Sequence, residues 1–324
     1  MPNTGNMFSL SGKNENGFNK IILIDEATGT SVEILPEYGA ILHSFSIQHH
    51  NGVLNIIDSY NSAADIKEHI TSKGFKSCKL SPFVCRLKNG NYSFGEKDHH
   101  IEKFYLGSNA IHGLIYDAPF TVIEQIAGSD NATLRLQFEY RANDNGYPFH
   151  YDCRVTYTLE KENSLTIITE IINRDKGMIP IADGWHPYFT FGGSINELQL
   201  EFQSKNKIEF DEELIPTDNV LPYEIFGSLK DIGNTELDNC FTLNFAECQP
   251  LCVLRSKKDD LQLEIYPDKT YPYLQIYTPP HRNSIAIENL SALPDAFNNG
   301  KGLVVLQPGQ STSFTTTYKI SSLT

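Results

Sequence analysis

The chain has 324 residues, 40% of them hydrophobic, with 26 Lys and Arg against 40 Asp and Glu, for a formal net charge of −14. A chain this acidic repels phosphate backbones and anionic lipid surfaces, so neither nucleic acid nor a membrane is an expected partner. The composition supplies a sizeable core, and although the length has room for two domains, large all-β folds often run this long as one unit.

The opening stretch, "MPNTGNMFSLSGKNENGFNK", has no basic region followed by an apolar one, so no signal peptide is expected. No apolar run approaches the ~20 residues of a membrane-spanning helix. The six cysteines form no C-x-x-C pair and read as free thiols, which makes the cytoplasm the expected compartment.

From there, segments of alternating polarity follow one another. They are "KIILIDE", "SVEILPE", "AILHSFSI", "ATLRLQFEY", "YDCRVTYTLE", "SLTIITEIIN", "ELQLEF", "LQLEIYP", "YLQIYTP", "NSIAIEN" and "STSFTTTYKI". Period-two alternation predicts strands with one face buried and the other solvated. Clusters such as "EATGTS", "HHNGVLN", "RANDNGYP" and "EKENS" mark the turns between them. The one helix candidate is 61–75, "NSAADIKEHITSKGF", which also suits a loop. No fixed-period repeat and no low-complexity linker appears, so the expected fold is all-β, a single large antiparallel β-sandwich spanning 1–324.

Chemistry-bearing residues come in the same order. "SPFVCRLKNGNYSFG" sets Arg86 ahead of an Asn-Gly turn, where a salt-bridged surface arginine is the bland alternative. "SNAIHGLIYDAPF" sets His112 before Gly113, which permits a backbone geometry that a side chain blocks, although a turn histidine is equally consistent. In "GWHPYF", His186 and Tyr188 share one strand face and Trp185 takes the other, the expected core side. Pro187 cannot donate to a ladder, so an edge, bulge or rim is expected there. "ELDNCF" places Asp238 beside Asn239, which also fits ordinary turn chemistry. In "YLQIYTPP", Gln275 and Tyr277 lie on one face and Leu274 and Ile276 on the other. In "NSIAIENLSALPDAF", Glu288 ends a strand whose alternate side, Ile285 and Ile287, is core.

Six of these motifs together, "SPFVCRLKNGNYSFG", "NAIHGL", "GWHPYF", "LDNCF", "YLQIYTPP" and "AIENLSALPDAFNNG", resemble in order and spacing the aldose 1-epimerase (galactose mutarotase) family, from about residue 20 to the C-terminus. The resemblance implies a large antiparallel β-supersandwich with an open sugar cleft. It also implies interconversion of the α and β anomers of an aldose without a cofactor or metal. Opening a cyclic hemiacetal needs one base and one acid, and a positioned group of this kind contributes ~10² to 10⁴-fold. By resemblance, Glu288 is the base at the anomeric hydroxyl and His186 the acid at the ring oxygen. His112 then bonds near that oxygen or a neighbouring hydroxyl, Arg86, Asp238 and Gln275 bind other hydroxyls, and Tyr277 or Trp185 stacks on the ring. Leu114 after His112-Gly113, and Trp185 before His186, depart from the galactose-specific pattern and leave the sugar open.

A relative acting on hexose 6-phosphate is the first alternative, although phosphate capture usually calls for clustered cations and no basic cluster flanks the motifs. A non-catalytic sugar-binding sandwich would not need both His186 and Glu288. A glycosidase would need two carboxylates, and Glu288 stands alone. His49-His50 and His99-His100 are adjacent pairs expected to diverge on strands, which disfavours a metal site. The expected partner is a small sugar, bound by a monomer or homodimer. The sequence assigns no role to 61–75 or to the acidic 209–220 stretch.

Overall fold

The computed structural model of the chain describes residues 7–50 and 52–323. Residues 1–6 of the stretch expected to carry no signal sequence, Asn51 of the "HHNGVLN" turn, and Thr324 lie outside them. Each alternating segment forms a strand. Among the described residues no helix is long and apolar enough to cross a membrane, and all six cysteines are free.

Two large antiparallel sheets dominate the described residues. The nine-stranded sheet runs from Thr121–Ala127 through Asn131–Arg141, His150–Glu160, Ser164–Asn173, Ser311–Ser322, Leu261–Pro267, Cys252–Ser256 and Gln199–Phe202 to Lys230–Asp231. The eight-stranded sheet runs from Pro216–Pro222 through Asn206–Phe210, Asp238–Thr242, Tyr273–Tyr277, Ile285–Leu290 and Gly184–His186 to Cys78–Leu80, with Tyr188–Phe189 also paired on Ile285–Leu290. Five N-terminal strands, Phe8–Glu15 to Gly52–Asn55, form a further sheet.

The alternation explains the layering. In His150–Glu160, Tyr151, Cys153, Val155, Tyr157 and Leu159 are buried, while Arg154, Thr156 and Thr158 are partly exposed. The buried rows of the two large sheets meet face to face. Trp185 packs edge-on to Tyr157 with ring centres 6.1 Å apart, and Phe189 packs on Tyr318 at 5.3 Å. Thr316 donates to Asn289 across the layers at 2.9 Å. An ion pair is sealed in the same core: Lys79 Nζ lies 2.6 Å from Asp183 Oδ2, both fully buried. Tyr271 donates to the other Asp183 oxygen at 2.7 Å, and the ammonium sits 4.5 Å from the centre of the Trp185 ring system. A charge pair without water is tolerable only when every partner stays in place.

Because one face of the eight-stranded sheet is committed to this core, the other is left for chemistry. Leu274, Ile276, Ile285, Ile287 and Trp185 belong to the core. Their neighbours in sequence, Gln275, Glu288 and His186, point the opposite way, as period two requires. Trp185 is therefore core and not a stacking platform.

Some details differ from the sequence expectation. Pro187 lies in no strand: it separates Gly184–His186 from Tyr188–Phe189, both paired on Ile285–Leu290, and its carbonyl still accepts from Ile287 at 3.3 Å while the ladder breaks at its missing N–H. Asp238 opens a strand, not a turn. The His49 and His50 rings do not diverge: His50 adopts a left-handed turn conformation (φ 49°), which brings the ring centres to 3.9 Å. In 61–75, Ser62 caps a helix, Ala63–His69, by accepting from the Asp65 N–H at 3.1 Å, and a tight turn follows.

Candidate active site

On the free face of the eight-stranded sheet lies a cleft of about 480 Å³. Arg86, His112, His186, Asp238, Gln275, Tyr277 and Glu288 all line it. Register brings them together from distant positions: Glu288 pairs with Gln275, Gln275 with Cys240, and Tyr277 with Asp238. Gln275 Nε2 donates to Asp238 Oδ1 at 2.9 Å.

An imidazole and a carboxylate also meet in the cleft. His186 Nε2 stands 3.3 Å from Glu288 Oε1, with the two side chains 8% and 2% exposed. The His186 ring stacks on Tyr188 with centres 5.3 Å apart, and meets His112 edge-on at 4.9 Å. Phe75, from the turn after the helix, closes the far side of His112 at 4.6 Å.

His112 is held by backbone geometry. It adopts a left-handed conformation (φ 61°), and its N–H donates to the Cys85 carbonyl at 2.8 Å. Gly113 follows at φ 77°, and a Cβ there would sit 2.1 Å from the Ser81 carbonyl oxygen. The His-Gly pair thus lets one chain segment lie against another, which only glycine allows. Arg86 sits on a two-residue strand pinned by the "ALPDAF" motif. The Asp295 N–H donates to the Arg86 carbonyl at 2.7 Å, and Asp295 Oδ1 accepts from the Lys88 N–H at 2.9 Å. Among the described residues the Arg86 guanidinium makes no hydrogen bond or ion pair.

Burial governs the charge states. It pushes the Glu288 carboxyl well above the usual carboxylate value, Asp238 adds to the rise, and Arg86 opposes it. Burial also pushes the His186 imidazole down to about 4 and His112 well below its ordinary value. Asp238 is raised by burial against the pull of Arg86 and Gln275. Both partners of the His186–Glu288 pair therefore disfavour charge, so between them they hold one transferable proton more readily than two full charges.

Several polar atoms here lack partners. His112 Nδ1, His186 Nδ1, Gln275 Oε1 and Glu288 Oε2 are buried with no hydrogen-bond partner among the described residues. Buried polar atoms are almost always satisfied, so four in one cleft mark a surface shaped for a hydroxyl-rich ligand. Sequence reasoning missed much of the wall. Residues 71–75 from the 61–75 segment, Lys76 just after it, and Phe210 and Leu214 from the acidic stretch line the cleft, as do Cys85, Tyr188, Pro279, Pro280 and His281. Tyr188 was within reach, since it shares a face with His186; the loops carry no motif.

The two-layer antiparallel fold with this cleft is that of the galactose mutarotase-like β-supersandwich proteins. A galactose mutarotase-like protein from Clostridium acetobutylicum superposes with a TM-score of 0.86 at 16% identity, covering 97% of this chain and 99% of that one. The chain belongs to the aldose 1-epimerase family, whose model matches residues 20–319. An Escherichia coli K12 relative, uncharacterized protein YihR, is 27% identical over 245 residues, 71% of this chain and 74% of that protein. The galactose mutarotase of Homo sapiens is 22% identical over 294 residues, 80% of this chain and 82% of that one.

Proposed function

We propose that the chain is an aldose 1-epimerase that interconverts the α and β anomers of a free aldohexose by general acid and base catalysis. The observation that carries this reading is the 3.3 Å approach of His186 Nε2 to Glu288 Oε1 in a cleft of unpartnered polar atoms. With the pair's one proton on His186, the ionised Glu288 takes the proton of the anomeric hydroxyl. The C1–O5 bond breaks, its electron pair passes to the ring oxygen, and His186 delivers a proton there. The free aldehyde turns about C1–C2 and closes on its other face, with Glu288 returning its proton to the carbonyl oxygen and His186 recovering its own from the O5 hydroxyl. No proton is gained or lost over a cycle. Mutarotation already proceeds in water, so two positioned groups at ~10² to 10⁴-fold each suffice without a covalent intermediate. Arg86, His112, Asp238 and Gln275 orient the remaining hydroxyls, and Tyr277 covers the ring.

A phosphorylated sugar is the weaker reading. The lysines lining the cleft are committed: Lys73 Nζ holds both Asp65 oxygens at 2.7 Å, and Lys76 Nζ lies 2.6 Å from Asp58. Among the described residues lining the cleft, Arg86 is the free cation, and it faces Glu288 and Asp238. Polarimetry of freshly dissolved α-glucose and α-galactose, with and without a 6-phosphate, tests the proposal. Acceleration of a free sugar is expected; acceleration of the 6-phosphates alone would move the assignment, and no acceleration of any would remove it.

A further inference from the structure

We propose that the sealed Lys79–Asp183 pair positions the acid and base of the site, by fixing the short strand that bears His186 against the strand that bears Glu288. This rests on the epimerase reading above.

The His186 strand has few ties where the chemistry needs them. Gly184 stands opposite Leu290 and Tyr188 opposite Ala286, which sets His186 across from Glu288. Between those positions Pro187 has no N–H to give. Among the described residues, the pairing of Gly184–His186 with Ile285–Leu290 is confined to Gly184. On its other side the strand pairs with Cys78–Leu80 at all three positions, and the Ser77 N–H donates to the His186 carbonyl at 2.8 Å. His186 Nε2 therefore keeps its 3.3 Å approach to Glu288 only if these two short strands do not drift from Ile285–Leu290.

Lys79 and Asp183 supply the missing tie from the core side. Lys79 is the register partner of Trp185, and its ammonium, 2.6 Å from Asp183 Oδ2, also donates to the Gly184 carbonyl at 3.1 Å. Asp183 in turn grips Ser291, the residue after the Glu288 strand. The Asp183 N–H donates to Ser291 Oγ at 2.8 Å, and the Asp183 carbonyl accepts from the Ser291 N–H at 2.8 Å. Tyr271, just ahead of the Gln275 strand, donates to the carboxylate at 2.7 Å. One buried pair thus joins the ends of the strands that carry His186, Glu288 and Gln275. The joint is close: a Cβ on Gly184 would lie 2.6 Å from Leu290 Cδ2 and 3.1 Å from the Asn289 carbonyl oxygen. Stability alone does not call for charge here, because an apolar pair of similar volume often serves as well or better. What an apolar pair lacks is a directed bond to a carbonyl and to a phenol, and those bonds fix register.

The test is the double variant Lys79→Met/Asp183→Leu, which removes the ions and keeps an apolar filling. Polarimetric kcat and KM are measured, together with the NMR titration of the His186 imidazole, whose ring faces Glu288, His112 and Tyr188. Since a misplacement of ~1 Å costs ~10²-fold, loss of this tie is expected to lower kcat at least ~10-fold with KM nearly unchanged. The His186 titration, held down to about 4 by burial, is expected to rise toward its ordinary 6.5 as the loosened strand admits water. A folded double variant with native kcat, or with an unmoved His186 titration, would overturn the proposal. Should the double variant not fold, Tyr271→Phe decides in its place, because it removes only the hydroxyl that holds Asp183. A lower kcat and a raised titration then support the positioning role, and native values of either overturn it. If the native chain accelerates no sugar, the epimerase reading fails, and the His186 titration, which needs no substrate, still decides whether the buried pair sets the imidazole in place.

Discussion

Replacing Gly113 by alanine isolates the role of the His112 backbone. The added Cβ would lie 2.1 Å from the Ser81 oxygen, 2.5 Å from its carbonyl carbon and 2.6 Å from its nitrogen, whereas real Cβ contacts essentially never fall below 3.0 Å. These neighbours are backbone, so the two segments must part by about 0.9 Å, and His112 moves with them. A misplacement of ~1 Å at a positioning group costs ~10²-fold. Left-handed backbone adds strain of roughly 1–2 kcal/mol for a residue with a side chain. Gly309 separates the two effects, because its φ is 75° but nothing lies within 4 Å of a Cβ there. Gly309→Ala is expected to lower the melting temperature while leaving polarimetric kcat and KM unchanged. Gly113→Ala is expected to lower both stability and kcat/KM, the latter ~10²-fold. Native kinetics for Gly113→Ala would refute the idea that this contact sets His112 in place.

Glu288→Gln tests the electrostatic strain of the site. The folded value of Glu288 is raised, so its favourable contribution is complete below about pH 4.5 and is lost as pH rises through the folded value. The amide variant therefore melts higher than the native chain at pH 8 and gains little at pH 4, and a lower melting temperature at pH 8 would contradict this. The acid limb of the pH–rate profile is expected near pH 4, where His186 takes a second proton onto the pair, and a limb at 6.5 would mean an unperturbed imidazole. Lys79→Met strands the Asp183 carboxylate in the core and should cost roughly 3–5 kcal/mol in urea unfolding, with Asp183→Leu added to Lys79→Met recovering most of the loss. A cost under ~1 kcal/mol would show that water reaches the pair.

Strands were legible because their periodicity is physical. A half-buried sheet dictates alternation, and that same alternation put Trp185 in the core and His186, Gln275 and Glu288 on the opposite face. Asp238 was harder, since Asp-Asn is ordinary turn chemistry and only its pairing with Tyr277 places it on a strand. Lys79 gave no signal: a lysine reads as a surface residue until the carboxylate 104 positions away in the chain is seen beside it. Residues 71–76 and Leu214 line the cleft through tertiary placement of loops, which no local pattern encodes. Pro187 was legible as an interruption, though its place inside the sheet was not. A proline disfavours an interior strand, and here it splits one in two, with Ile285–Leu290 holding both pieces in one register across the missing hydrogen bond.

The most direct measurement is the polarimetric rate of Glu288→Gln, His186→Asn and the double variant, each checked by circular dichroism for native folding. If the two side chains form one proton-transfer unit, each single variant loses at least ~10²-fold in kcat, and the double variant falls little further than the worse single one. Native kcat in either single variant, or losses that simply multiply, would contradict a shared role at the hemiacetal.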